Sequence, residues 1–143
     1  MEAKELRVGN LLLDAKGFGV KKVESILSST MRVYMHSIDE ECLADFNINN
    51  LKAIPLTEEW HNRFGVKKNG FNSFEYKLEN KTNLFLTVVF TGDYVMIRQG
   101  SEKRIDDDMI SIWNKDLTNR DMYVHEWQNL YFALTGVELT LNQ

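Results

Sequence analysis

Histidine and cysteine are the side chains most suited to metal binding or nucleophilic catalysis, and their spacing here favours neither. The three histidines, His36, His61 and His125, lie too far apart to form a local zinc motif, in which two histidines are one helical turn apart. The single cysteine, Cys42, lies among acidic residues whose negative charge disfavours the reactive thiolate. These residues therefore predict neither a metal site nor a nucleophilic cysteine.

An acidic run, Asp106, Asp107 and Asp108, has the oxygen ligands that a hard cation prefers. Calcium loops, however, place such ligands at alternate positions around a glycine turn, which this run lacks, so we predict a solvated turn. The Gly-x-Ser-x-Gly elbow of hydrolases and the glycine-rich phosphate motifs are also absent from the sequence. We expect no cofactor, no metal and no catalytic residue. The alternative is a small metal-dependent hydrolase or nuclease in which Asp106, Asp108 and His125 meet only after folding.

A short basic segment is a weak candidate for binding single-stranded nucleic acid. Lys67 and Lys68 lie shortly before a phenylalanine, and Arg63 shortly before them. Single-strand binders usually combine several aromatic platforms with a basic groove. In addition, 17 basic against 21 acidic side chains give the whole chain a net charge of −4. We therefore predict a solvated loop and do not expect nucleic acid as a partner.

The predicted C-terminal helix carries the most specific candidate for a binding surface. Its outer face, opposite the apolar stripe, is formed by residues whose spacing places them together: His125, Gln128, Asn129 and Phe132. A solvated polar face seldom needs a phenylalanine, so this face is expected either to bind a protein partner or to be covered by the chain itself. The segment around Ile112 and Trp113 is the expected cover, since it has no other predicted packing partner.

Length and composition describe an ordinary globular chain. The 143 residues suffice for one domain or two small lobes, and 43% hydrophobic with 27% charged residues predict a packed core. One cysteine allows no intramolecular disulfide, and the longest mostly apolar stretch, 84–90, is far shorter than a membrane span. The N-terminus alternates charges and does not resemble a secretory signal. We therefore expect a cytoplasmic protein without a membrane partner.

The first lobe, residues 1–56, is predicted to be a small SH3-like β-barrel, because short apolar runs alternate with turn residues. Its expected strands are 8–13, 20–27, 31–34 and 51–56. The second lobe, residues 57–143, begins with a short helix that Thr57 caps and Gly65 ends. We expect these segments either to form two separate lobes or to pack together as one compact unit.

The second lobe continues as an antiparallel meander of three predicted strands, 73–78, 84–90 and 94–98. The middle strand is apolar on both faces and should be covered on both sides. A helix from about 122 to 134, with Thr118 and Asp121 spaced for a capping box and Gly136 just past its end, should pack its apolar stripe on the meander. Residues 137–141 alternate again, as an edge strand does.

Three blocks follow one another in an order and spacing that cover nearly the whole chain: ELRVGN at 5–10, IPLTEEW with FG at 54–65, and YVHEWQNLYFALTG at 123–136. Together they resemble a family of small uncharacterised proteins from phages, prophages and mobile elements of gut Bacteroidales bacteria. The last block departs from the family in having Glu126 and Trp127 where the family has Gln-Leu. The resemblance implies a bacterial or phage cytoplasmic protein. It implies no activity and no catalytic residues.

These observations lead to one functional expectation. We expect a non-enzymatic accessory protein of phage or mobile-element origin that binds another protein or a second copy of itself. SH3-like lobes commonly present loops and grooves to peptides, which is a fold analogy and supports this class only at that level.

Overall fold

The computed structural model describes residues 1–16, 19–27, 32–38, 43–70, 72–79, 85–91, 94–100, 110–114 and 120–142. Within these ranges it contains two antiparallel sheets and two α-helices, so the predicted α+β class is confirmed. The chain divides into two compact units. The first comprises Met1–Leu56 with Tyr123–Glu138, and the second comprises Thr57–Met122 with Leu139–Gln143.

The sheet of the first unit has five described strands, β1 (Leu11–Asp14), β2 (Val20–Leu27), β3 (Arg32–Ser37), β4 (Leu43–Asn47) and β5 (Leu51–Lys52). Their order across the sheet is β4-β3-β2-β1-β5, and all pairs are antiparallel. The boundaries predicted for 20–27 are those of β2. The sequence pattern does not predict β4, because Ala44 follows Leu43 and interrupts the alternation of apolar and polar residues.

The chain passes from one edge of this sheet to the other within very few residues. Only the 3-10 turn Ile48–Asn50 separates the two edge strands, β4 and β5. In a flat sheet these edges would lie about 19 Å apart, at about 4.8 Å per strand spacing. The path from Asn47 to Leu51 can span at most about 14 Å. The sheet is therefore strongly curled. The predicted closed barrel is not observed, because the described pairings end at β4 and β5 without joining them.

One face of the curled sheet forms the core of the first unit. Val33 and Met35 of β3 are fully buried and lie opposite Ile26 and Val23 of β2. Because side chains alternate along a strand, their burial places the neighbouring Tyr34 on the other face. Other buried residues complete this core: Leu6, Leu12, Ile48 and Leu51.

The helix α2 (Val124–Thr135) belongs to the first unit, with the five-stranded sheet. The prediction that it packs on the meander is therefore wrong, because the helix is bonded through Gln128 to the backbone at the start of β1. The Glu126 carboxylate accepts a hydrogen bond from the Tyr123 backbone N–H at 2.9 Å, and Tyr123 is the N-cap residue. The predicted capping box with Asp121 is therefore wrong in position, and its other member, Thr118, lies outside the described residues. The predicted stop is confirmed: Gly136 adopts a left-handed φ of 70° and its N–H donates to the Phe132 carbonyl.

The second unit contains an antiparallel meander. Its described strands run in sequence order: β6 (Phe74–Glu79), β7 (Phe85–Phe90), β8 (Tyr94–Gly100) and β9 (Ile110–Asn114). The three predicted strands are confirmed, and β9 is an addition, since Trp113 lies opposite Val95 in a strand pair. Val88 and Val89 point to opposite faces and are both buried, so β7 is covered on both sides as predicted.

The short helix α1 (Glu58–Arg63) opens the second unit. Gly65 follows it with a φ of 87°, as predicted for the residue that ends the helix. A Cβ atom at Gly65 would collide with the Asn142 side chain, which gives a second reason for glycine there. Thr57 is the N-cap residue, but its side chain makes no capping hydrogen bond, so the predicted role of its hydroxyl is wrong.

We expect Thr57→Ala to change the free energy of unfolding by less than about 0.5 kcal/mol, because no capping bond is lost. Chemical denaturation of the two proteins measures this difference. A loss near 1 kcal/mol, the usual value for a removed cap, would show that the hydroxyl caps the helix in solution.

The predicted edge strand at 137–141 does not form, since these residues have no regular secondary structure. Glu138 instead forms an ion pair with Arg7, and the Asn142 N–H donates to the Arg63 carbonyl at 2.7 Å. Neither helix in the described ranges has the length and apolar composition needed to cross a membrane.

Candidate functional site

Gln128, a predicted member of the partner surface, is buried within the first unit and only 1% exposed. Its Oε1 accepts a hydrogen bond from the Leu11 N–H at 2.9 Å. Its Nε2 donates to the Gly9 carbonyl at 3.2 Å. One glutamine amide thus satisfies a donor and an acceptor of the backbone at the start of β1, where a buried unpaired group would cost about 1–3 kcal/mol.

Asn129 continues this amide network one residue further along α2. Its Nδ2 donates to the Glu5 carbonyl, and its Oδ1 accepts from Asn10 Nδ2, both at 2.8 Å. Asn10, itself only 1% exposed, accepts at Oδ1 from the Arg7 N–H at 2.7 Å. The side-chain amides of Gln128 and Asn129 on α2 therefore bind the N-terminal segment of the same chain, residues 5–11.

His125 is buried as well, with 2% of its surface exposed, and its ring stacks on that of Tyr123 at 6.0 Å. A histidine so buried does not belong to an exposed partner surface. It is also poorly placed as a base that meets substrate in solvent. The other two residues of the alternative hydrolase site, Asp106 and Asp108, lie outside the described residues.

Phe132 is the one member of the predicted surface that remains exposed, at 37%. The Arg7 guanidinium lies 4.0 Å from its ring centroid, a cation–π distance, and also pairs with Glu138. Two more apolar side chains, Val8 next to Arg7 and Val137 next to Glu138, are exposed at 53% and 47%. We call these five residues the Phe132 surface.

The expected cover of the helix face was the segment around Ile112 and Trp113, and this expectation is not supported. These residues lie in β9, where the Trp113 ring stacks with Phe90 at 6.4 Å. The hydrogen bonds that cover the face come from residues 5–11. The available signal was the adjacent pair Gln128 and Asn129, because two side-chain amides offer the donors and acceptors that an irregular backbone needs.

The basic segment is partly engaged within the second unit. The Arg63 guanidinium lies 4.3 Å from the Trp60 ring centroid, and Lys68 forms an ion pair of 2.8 Å with Glu58. Lys67 is exposed. Because Trp60 is only 7% exposed, it offers no platform on which a base could stack. This arrangement resembles the predicted solvated loop more than a nucleic-acid groove.

The second unit also contains a buried cluster of aromatic side chains around His61, which the sequence pattern does not indicate. The His61 ring is 1% exposed and stacks on Phe74 with 3.9 Å between centroids, while Phe90 lies 4.7 Å away. His61 Nδ1 and the Tyr76 hydroxyl are 2.6 Å apart. Burial lowers the pKa of His61 from 6.5 to about 4, so the imidazole is neutral at pH 7.

Among the described residues, no group of three or more His, Cys, Asp or Glu side chains is placed to hold a metal ion. His36, His61 and His125 lie on three different elements, β3, α1 and α2. Cys42 and 106–108 lie outside the described residues.

Comparison with protein-family models, with curated proteins and with solved structures finds no match to this chain. The structural class of the protein is given by its described residues alone: it is an α+β protein of two units, each with its own antiparallel sheet.

Proposed function

We propose that the protein is a non-enzymatic binding module that contacts a protein partner through the Phe132 surface. One observation carries the proposal: Phe132 stays 37% exposed on a helix face whose neighbouring residues, Gln128 and His125, are buried. Phenylalanine is among the aromatic residues enriched at protein interfaces, and packing within the chain leaves this ring accessible. Arg7, which lies against the Phe132 ring, is also of a residue type enriched at interfaces.

The cellular setting belongs to the same proposal. The sequence blocks that resemble phage and mobile-element proteins support an accessory role in the cytoplasm of a Bacteroidales host. The strand order β4-β3-β2-β1-β5, with a curled sheet and a short return to β1, supports an SH3-like relationship for the first unit. A second copy of the chain is included among the partners, because the same patch on two copies makes a twofold dimer when it pairs with itself.

The two alternatives have less support. A metal-dependent hydrolase or nuclease requires His125 to meet Asp106 and Asp108, and His125 is buried. Single-stranded nucleic acid would have to bind Arg63, Lys67 and Lys68, of which Lys68 is paired with Glu58. Steeply salt-dependent retention on single-stranded DNA would favour the second alternative over the protein partner.

The test is Phe132→Ala, compared with Tyr94→Ala, which removes an aromatic side chain of similar exposure from the second unit. Losing the cation–π contact should cost about 0.5–1 kcal/mol of stability. Binding should weaken about thirtyfold, since an aromatic at an interface centre contributes about 2 kcal/mol or more. Sedimentation velocity measures self-association, and co-purification from host lysate followed by titration of the identified protein measures binding to another partner.

The Tyr94→Ala control shows whether weaker binding is specific to Phe132 or follows the loss of any exposed aromatic side chain. Tyr94→Ala should bind like the wild type. Equal binding by the wild type and Phe132→Ala would contradict the proposed surface, as would equal weakening by both variants. Unfolding of Phe132→Ala, seen by circular dichroism, would show that Phe132 belongs to the core and would also reject the proposal.

A further inference from the structure

The loop that leads into β6 contains the single Asn-Gly pair of the sequence, Asn69 and Gly70. The loop folds back on itself: the Asn69 N–H donates to the Ser73 carbonyl at 2.9 Å, and the Asn72 N–H donates to the Asn69 carbonyl at 3.2 Å. Asn72 adopts a φ of 57°, the left-handed conformation that asparagine tolerates in tight turns.

The Asn69 side-chain amide is the centre of this loop. Its Oδ1 accepts from the Ser73 N–H at 3.1 Å and from the Ser73 hydroxyl at 3.0 Å. Its Nδ2 donates to Glu75 Oε1 at 3.2 Å. Two donors on the amide oxygen draw electron density from Cγ and stabilise negative charge that develops on that oxygen during nucleophilic attack.

We propose that Asn69 is a site of spontaneous deamidation in this protein. The Gly70 nitrogen attacks Asn69 Cγ, the N–Cγ bond forms, the Cγ–Nδ2 bond breaks, and ammonia leaves with the proton of the Gly70 amide. Water then opens the five-membered succinimide at either carbonyl, which gives aspartate or an isoaspartyl linkage. Glycine favours the step because it has no side chain to hinder its nitrogen, and Gly70 is exposed with no heavy atom near its Cβ position.

The product alters the loop through charge. The amide nitrogen that donates to Glu75 is replaced by a carboxylate oxygen, so two negative groups face each other across a former hydrogen bond of 3.2 Å. The hydrogen bond that joins the loop to β6 is therefore lost, and the two carboxylates repel each other. The modification thus irreversibly adds one negative charge to the loop that precedes β6.

The test follows each asparagine by peptide mapping and mass spectrometry during incubation at neutral to mildly alkaline pH. Loss of the side-chain amide at Asn69 should exceed that at every other asparagine. Gly70→Ala is the matched control, because the open space at Gly70 admits a methyl group while that group hinders the attacking nitrogen. Deamidation at Asn69 should slow strongly in this variant. Asn69→Gln, which retains an amide but cannot form the five-membered ring, should stay intact over the same period.

Asn69→Asp tests the consequence and should lower the melting temperature relative to Asn69→Gln. An intact Asn69 in a sample whose other asparagines have deamidated would overturn the proposal. Conversion at the wild-type rate in Gly70→Ala would exclude the succinimide route. If Gly70→Ala does not fold, the comparison of wild type with Asn69→Gln still decides whether Asn69 is the site.

Discussion

Trp127→Ala is expected to leave most of the protein unfolded or insoluble. Trp127 is completely buried on α2, and its ring packs near that of Tyr131 with 6.0 Å between centroids. Truncating a buried tryptophan costs about 3–5 kcal/mol. The whole stability of a domain is about 5–15 kcal/mol, so this single change removes a large part of it.

Circular dichroism and chemical denaturation measure the effect, and α2 itself supplies the controls. Trp127→Phe keeps an aromatic ring in the same space and should lose less stability than the alanine variant. Phe132→Ala removes an exposed ring five residues further along α2 and should cost only about 0.5–1 kcal/mol, the value of its cation–π contact with Arg7. A soluble Trp127→Ala protein with an unchanged melting curve would contradict the observed burial of Trp127.

The sequence correctly predicted those helices, strands and turns whose position depends only on neighbouring residues in the chain. The apolar run of β7, the turn residues that flank β2 in the sequence and the left-handed Gly136 are short-range features, so the positions of these elements follow from the sequence. The strand β9 is different. Its assignment depends on pairing with β8, which includes a register shift between Val95 and Met96, and such long-range pairing leaves no local signal.

The helix α2 shows where a pattern is insufficient. Its apolar stripe correctly predicts that Val124 and Trp127 are buried. The same reasoning predicts that the opposite face binds a partner or is covered by the segment that forms β9, because helical periodicity ranks residues only by hydrophobicity. Gln128 is nevertheless fully buried, since its amide replaces water for the backbone of Gly9 and Leu11. Burial by hydrogen bonding depends on a partner more than a hundred residues away in the sequence.

His61 illustrates the same limit, and it gives the second large prediction. A histidine in a short helix such as α1 has no sequence feature that distinguishes a buried ring from an exposed one. In the structure Phe74 and Phe90 enclose it, and the Tyr76 hydroxyl lies 2.6 Å from Nδ1. Burial opposes protonation more strongly than the negative charge of Glu58 favours it, which explains the pKa of about 4.

The stability of the protein should therefore fall as the pH decreases from 6.5 to 4. Between these values the unfolded chain protonates His61 and the folded chain does not, so acid favours the unfolded state. The contribution of neutral His61 is fully present above pH 6.5, and its loss is complete near pH 4. The difference between the two pKa values corresponds to about 3 kcal/mol.

His61→Gln separates this effect from the protonation of carboxylates, because glutamine does not titrate. We expect the variant to be less stable than the wild type at pH 7, where the stacking on Phe74 is lost. The stability difference between the two proteins should then shrink by about 3 kcal/mol as the pH falls to 4, since only the wild type has a side chain here that binds a proton when unfolded and resists it when folded. Urea denaturation at several pH values measures both curves. Parallel curves across this range would show that His61 titrates alike in the folded and unfolded chains, which its enclosure by Phe74, Phe90 and Tyr76 does not allow.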